Sequence, residues 1–238
     1  MKSRTFLYTP LVFAGCMGAG YAAFVAATWF RYGKVRGRSD FASDDFVIDQ
    51  FMPVYDVAER HHVHVAAPAA FTLASACAAD LQQSPLVRAI FRGRELLLGS
   101  QNHEKRKARG LIEELKSYGW GVLAEVPGRE IAMGTVTQPW RADVEFHPLS
   151  PAEFTTFHEP GYVKIAFTLR ADTVSQAESI FRTETRVMAT DLSARTRFRR
   201  YWSFMLPGIL LIRRVLLNQL KNAAERQKAK RRSISYRG

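Results

Sequence analysis

Cysteine is scarce in this sequence, with two among 238 residues. Cys16 lies in a long apolar segment and Cys77 lies in a predicted helix, so a disulfide between them is not expected. The absence of disulfides is compatible with a reducing compartment. The chain also lacks a P-loop, a dinucleotide-binding glycine pattern, a nucleophile elbow, a Cys-x-x-Cys pair and an HExxH motif. The enzyme classes that these motifs mark are therefore not predicted.

Acidic residues are absent from the first 38 positions, and charge of either sign is absent between residues 6 and 30. A helix rises about 1.5 Å per residue, so this run is long enough to cross a hydrocarbon core of about 30 Å with some tilt. Residues 1–42 are therefore predicted to form a transmembrane helix, at about 6–30, and a basic linker. A cleaved signal peptide would have a shorter apolar region, and a lipoprotein would turn polar soon after Cys16.

Basic residues flank this apolar run unequally. Two precede it and four follow it: Lys2 and Arg4, then Arg31, Lys34, Arg36 and Arg38. Because the more basic flank usually stays in the cytoplasm, we expect a single-pass protein whose soluble domain is cytoplasmic.

Small residues recur every four positions along the apolar run. They are Gly15, Ala19, Ala23 and Ala27. A stripe of this kind lets a second helix approach closely, which makes a homodimer through the membrane segment one predicted partnership. The alternative is that alanine and glycine are simply common in such helices.

The net charge of +12 is unevenly distributed along the chain. Residues 39–190 carry 15 basic and 20 acidic groups, whereas residues 191–238 carry 13 basic and two acidic groups. Nucleic-acid binding would need a basic face on the folded domain with a recognisable reading motif, and the sequence has neither, so no nucleic acid is predicted. Basic chain ends fit the anionic head groups of a lipid bilayer better.

Hydrophobic periodicity predicts one α+β domain at residues 43–228, followed by a disordered basic tail at 229–238. One-sided sheets need their apolar face covered, and the last helix is the obvious cover. A proline-rich loop is expected after the third of the later strands. The predicted helices are 44–52, 69–79, 85–98, 105–118 and 192–228, and the predicted strands are 54–65, 120–126, 130–137, 140–147, 162–170 and 179–189.

The last predicted helix is amphipathic, with arginines largely off its apolar stripe. A kink or break is expected at Pro207-Gly208, because proline cannot donate the helical hydrogen bond. The stripe comprises Phe198, Trp202, Met205, Ile209, Ile212, Leu216, Leu220 and Ala223, and the arginines placed off it include Arg213.

Two stretches carry a family resemblance. The first is 55–60 running into Ala66-Ala67-Pro68, and the second is 183–191 running into 198–202. Together they resemble the START-like helix-grip superfamily, also called the SRPBCC or polyketide-cyclase-like group, in the form of a membrane-anchored bacterial member. The resemblance covers residues 54–225. It implies an antiparallel sheet wrapped around the C-terminal helix, with a cavity between them that binds hydrophobic small molecules. It implies no single activity.

Residues on the inward faces of these elements are candidates to line such a cavity. Two threonine hydroxyls in an otherwise apolar wall are typical of a binding pocket. For each residue, the alternative is ordinary packing in the core. The candidates are Trp140, Phe146, Ile165, Phe167, Thr183, Thr185, Trp202 and Met205.

Glu59 and His61 are predicted on one strand face and could form an acid–base pair, since desolvation displaces the pKa values of both groups. The alternative is an ion pair at the end of a strand. Neighbouring His62 and His64 invite a metal interpretation, but no cysteine lies nearby in the sequence and paired histidines on an exposed strand are common. No metal and no cofactor are predicted.

Three functions follow, in order of preference. The first is a membrane-tethered domain that binds a hydrophobic small molecule or lipid between the sheet and the C-terminal helix. The second is a cyclase- or aromatase-like enzyme that uses Glu59 and His61. The third is a non-catalytic membrane interaction protein with a filled core. A binding protein is favoured over an enzyme because nothing in the sequence identifies a substrate for Glu59 and His61.

Overall fold

The structure is a computed structural model, and it describes residues 5–32, 47–79 and 110–235. The predicted helix at 85–98 and the linker at 33–42 lie outside these residues. The helices are α1 (Thr5–Arg31), a 3-10 helix (Val47–Gln50), α2 (Ala69–Cys77), α3 (Leu111–Ser117), α4 (Pro151–Thr156) and α5 (Leu192–Ser235). The strands are β1 (Val57–Val65), β2 (Gly121–Val126), β3 (Glu130–Thr137), β4 (Phe146–His147), β5 (Val163–Ser175) and β6 (Glu178–Ala189).

The six strands form one antiparallel sheet. Five of them follow the order β1-β6-β5-β3-β2, and β4 pairs with the C-terminal end of β3. The first strand therefore lies beside the last, and Glu59 is opposite Thr185 while His61 is opposite Thr183. The predicted α+β architecture, an antiparallel sheet with a long C-terminal helix, is confirmed.

One face of the sheet, called here the inner face, carries α2 and α5. Alternate residues of each strand point toward it, because side chains alternate along an extended chain. Two apolar clusters fill it. The first joins Phe181 and Leu169 to Leu217 of α5, and the second joins Val163 to Trp202.

The opposite, outer face is also covered, although the sequence predicted a cover for one face alone. Ile48 and Met52, in and just after the 3-10 helix, pack over it together with Phe154 of α4. Helix α4 replaces part of the expected proline-rich loop. It begins with a capping box in which Ser150 and Glu153 exchange side-chain and backbone hydrogen bonds. The Ser-x-x-Glu spacing is the sequence signal for this helix.

Several predicted elements have different extents in the structure, among them the strand at 140–147 and the last helix. The strand at 140–147 is reduced to Phe146–His147, because a turn closed by the Arg141 amide on the Gln138 carbonyl precedes it. Helix α5 is continuous through Pro207, where a kink or break was predicted, so the helix is not broken there. It also continues to Ser235 instead of fraying at 229, and Lys228 anchors this end by donating to the Ala66 and Ala177 carbonyls.

Helix α1 confirms the predicted helix at 6–30, but its second half packs against α5. The Tyr21 hydroxyl donates to the Phe204 carbonyl at 2.7 Å. The Arg199 guanidinium donates to the Trp29 carbonyl and lies 4.4 Å from the centre of the Trp29 ring. Tyr32, directly after α1, is buried. The exposed positions of α1 include Ala19, Ala23 and Ala27, three of the four residues of the predicted small-residue stripe, and the fourth lies outside the side chains that the structure describes.

Among the described residues, one helical segment is long and apolar enough to cross a membrane by length and composition, and it is part of α5, Leu192–Arg226. This segment lies against the sheet along one side, and the core helix of a soluble protein passes the same test. The structure therefore does not support the transmembrane assignment of residues 6–30, which stays a prediction.

Charged side chains of the outer face form a network centred on the buried Arg186 and Glu184. Arg186 donates to the Glu184 carboxylate at 2.7 Å and to the Met52 carbonyl at 2.7 Å, and it forms an ion pair with Asp49 at 2.6 Å. Arg60 adds a second bond to Glu184 at 2.8 Å. The cover of the outer face therefore encloses ion pairs as well as apolar side chains.

Glu130 is a second buried charge on this face, with an exposed fraction of 1%. Its carboxylate lies 3.9 Å from the Arg170 guanidinium. Burial raises the pKa of Glu130 from about 4.5 to about 7, although Arg170 and the Val47 amide oppose the shift. The folded chain therefore holds a proton that the unfolded chain has already released near pH 6.

This proton gives a testable dependence of stability on pH. Stability from Glu130 is full below its ordinary pKa and is lost as the pH rises through about 7, at most about 1.4 kcal/mol for each pH unit in that window. Urea unfolding at pH 5 and pH 8 should show a smaller loss for Glu130→Gln than for the unchanged protein. Exposed Glu125→Gln is the control, and an equal loss in both variants would contradict the assignment.

Candidate functional site

A polar band crosses the inner face between the two apolar clusters. β1 contributes Glu59 and His61, and β6 contributes Thr183 and Thr185 directly opposite them. The spacing of two residues places each pair on one face, as strand geometry requires. The predicted acid–base pair and the two predicted threonines are therefore neighbours.

Arg213 of α5 lies over this band. Its guanidinium donates to the Thr185 hydroxyl at 2.6 Å and to the Glu59 carbonyl at 3.4 Å. Burial lowers the pKa of Arg213 to about 10, and the Glu59 carboxylate partly offsets this shift. A guanidinium with this pKa is still charged at neutral pH, so the band holds a fixed positive charge inside the domain.

The predicted position of Arg213, off the apolar stripe, is wrong. The stripe that faces the sheet is displaced by one residue in places: Leu206, Leu217 and Ala224 are buried where Met205, Leu216 and Ala223 were predicted. Arg213 lies seven residues after Leu206 and four before Leu217, which places it on the same face. Counting from Leu206 and Leu217 in the sequence would have placed Arg213 on the face of the helix that packs against the sheet.

Glu59 and His61 are close but not hydrogen-bonded to each other, since His61 Nε2 lies 3.9 Å from Glu59 Oε2. The Glu59 carboxylate instead accepts from the Tyr32 hydroxyl. Burial raises the pKa of Glu59, against the opposing effects of Arg213 and Arg31. Burial also lowers the pKa of His61, and Arg213 and His62 add to that shift. Both groups are thereby displaced toward their neutral forms.

Two buried ring nitrogen atoms on this side of the sheet have no hydrogen-bond partner among the described residues. They are His61 Nε2 and Trp202 Nε1. A buried polar atom without a partner costs about 1–3 kcal/mol relative to a paired one. Each could be satisfied by a polar atom of a bound molecule, which makes this stretch of the inner face the candidate site.

The other predicted lining residues fall into two groups instead of one wall. Trp140 and Ile165 pack with buried Trp202 in the cluster that contains Tyr32. Phe146 and Phe167 surround Trp120 at ring-centre distances of 5.9 and 5.1 Å, in the other half of the face.

Met205 is half-buried, one position from the residue that faces the sheet. Trp120 was missed as a site residue, although its place just after a glycine and before a strand was visible in the sequence. The structure therefore brings the predicted lining residues to one face but divides them between its two halves.

The histidines of β1 are not grouped as a metal site. His62 and His64 are exposed on the outer face with their ring centres 6.5 Å apart. Among the described residues, no cluster of three or more histidine, cysteine, aspartate or glutamate side chains could hold an ion.

The fold and the site define an α+β domain whose inner face combines apolar clusters with a central charged band. No family model matches the chain, and no curated protein matches it. Among solved structures, the chain is similar to the crystal structure of the Zhui aromatase/cyclase from Streptomyces sp. R1128. The identity is 13% and the TM-score 0.25, over 72% of this chain and 94% of that chain. At this level the similarity carries no functional argument, and the START-like resemblance stays a prediction.

Proposed function

We propose that this protein binds a hydrophobic small molecule or lipid with a polar end group, held between the inner face and α5. The observation that carries the proposal is the position of Arg213, a partly buried charge that donates to Thr185 and Glu59 between two apolar clusters. A buried charge is expensive compared with apolar packing, and binding a ligand is a reason to keep one. The apolar clusters would receive the rest of the molecule.

The proposal includes a membrane tether through α1, with the domain on the cytoplasmic side. Its support is the uncharged run at 6–30, the four basic residues that follow it, and the basic C-terminal end. Met17 and Phe24 are large apolar side chains of α1 that stay exposed in the single chain, as lipid-facing residues would. A tether would keep the site close to the bilayer from which a lipid would come.

Native mass spectrometry of the full chain in lipid nanodiscs, followed by solvent extraction, tests the binding proposal. We expect a stoichiometric bound compound, lost in Arg213→Met because the end group loses its partner. Thr185→Trp should lose it too, because the indole would occupy the space beside Arg213. Arg214→Met is the matched control, since Arg214 is the neighbouring residue and is exposed. A chain that carries nothing after incubation with a lipid extract would favour the filled-core interaction protein.

A second candidate, an enzyme of the cyclase or aromatase type, is favoured by one observation. His61 and Glu59 lie 3.9 Å apart with pKa values displaced toward the neutral forms, as a base and an acid working at neutral pH would need. The same extraction decides between the two. If the protein is an enzyme, His61→Gln should hold a compound whose mass differs from that held by the unchanged protein. If it is a binding protein, His61→Gln and the unchanged protein should hold the same compound.

A further inference from the structure

The contact between α1 and α5 limits how α1 could cross a bilayer. The Tyr21 hydroxyl is bonded to the Phe204 carbonyl, and Tyr21 precedes Arg31 by ten residues. That separation is about 15 Å along a helix axis. With Arg31 at the membrane boundary, Tyr21 would therefore lie near the middle of a hydrocarbon core about 30 Å thick.

The part of α1 that lies before this contact is too short to cross alone. Residues 5–20 would extend about 24 Å, less than the roughly 30 Å required. While the two helices stay in contact, residues 6–30 of α1 can lie in the hydrocarbon core only if the neighbouring segment of α5 lies in it too.

The outward surface of α5 suits that environment. Residues 201–212 carry no charge, and within them Phe204 and Leu211 are 48% and 45% exposed. They are seven residues apart and hence on one side of the helix. Arg200 and Arg214, both exposed, flank the segment. Between Asp191 and Glu225 the chain has no acid, so the charges beside the apolar surface complement anionic lipid head groups.

We propose that the outward side of α5 around Phe204 and Leu211 inserts into the same bilayer as α1. This inference rests on the tether in the proposed function. It places the polar band beneath α5, on the side away from the acyl chains. A lipid would then reach the inner face sideways from the membrane, without passing through water.

Site-directed spin labelling of the full chain in vesicles of phosphatidylcholine and phosphatidylglycerol tests the proposal. In a Cys16→Ser, Cys77→Ala background, single labels would be placed by Phe204→Cys and Leu211→Cys. The matched control is Val174→Cys, an exposed apolar position in β5. Labels at 204 and 211 should be reached by oxygen and shielded from a water-soluble nickel chelate, with the opposite result at 174.

A label at Phe24→Cys separates this proposal from the tether. If position 24 is shielded from nickel while 204 and 211 are open to it, the tether stands and insertion of α5 is overturned. If position 24 is also open to nickel, the tether itself fails. Labels at 204 shielded from both oxygen and nickel, with spin–spin coupling between chains, would show a second copy on this surface and would also overturn the proposal.

Discussion

Replacing Arg186 with methionine is expected to lower the free energy of unfolding by about 3–5 kcal/mol, since one half of a buried ion pair would be removed. Arg186 has an exposed fraction of 1%, and its guanidinium is bonded to Glu184 and paired with Asp49. It also lies 4.8 Å from the centre of the Tyr55 ring. Methionine would fill much of the volume but remove the cation that Glu184 and Asp49 share, leaving buried Glu184 paired with the exposed Arg60.

Urea unfolding monitored by tryptophan fluorescence measures this loss. The matched control is Arg182→Met on the same strand, where the side chain is 34% exposed and pairs with Asp172 at 2.8 Å. That change should cost no more than about 1 kcal/mol because the pair is exposed to solvent. Adding Glu184→Gln to Arg186→Met should recover part of the loss. Equal costs for the two arginines would show that burial of the network does not determine its contribution.

Replacing Gly119 with alanine is expected to destabilise the domain by about 3 kcal/mol or more, since the change adds backbone strain and a steric clash together. Gly119 has φ +94, and an added Cβ would lie 2.0 Å from the Phe146 carbonyl oxygen. The clash is with backbone, so a side-chain rotation could not relieve it. The next residue, Trp120, stacks on Phe146, and the aromatic half of the inner face would have to move as well.

Thermal unfolding of Gly119→Ala beside Gly128→Ala separates strain from clash. Gly128 also has a positive φ, of +71, but a Cβ there would meet Ala70 Cβ at an ordinary 3.4 Å. The control should cost about 1–2 kcal/mol, the usual penalty of a left-handed conformation. If the two variants unfolded at the same temperature, the result would contradict the close packing of Gly119 against the backbone of β4.

Tyr32 links α1 to the candidate site. Its hydroxyl donates to Glu59, and its ring lies edge-on to Trp202 at 6.5 Å. The residue that follows the predicted membrane segment is therefore part of the inner face. Deleting α1 together with the linker would open the band beside Glu59, which is why the binding experiments above use the full chain.

The alternation of β5 and β6 shows how far sequence reasoning reaches. Val163, Ile165 and Phe167 were predicted on one side of their strand, and they do face the helices. The outer face holds Glu184 and Arg186 of β6, and both of these charged side chains are buried. Periodicity assigns residues to faces, but it does not say whether a charged face is solvated or covered by a distant segment.

The sequence alone determined the α+β class, the succession of helices and strands along the chain, the helical character of 6–30 and the shared face of Glu59 with His61. These depend on local spacing, which fixes where a side chain points relative to its own element. Only the tertiary structure decided that Arg213 reaches Thr185, that Tyr32 reaches Glu59 and that the segment after 47 covers the outer face. Each of these contacts joins residues far apart in the chain. The contact of Arg213 with Thr185 was missed because the predicted apolar stripe of α5 differed by one residue from the face that packs against the sheet.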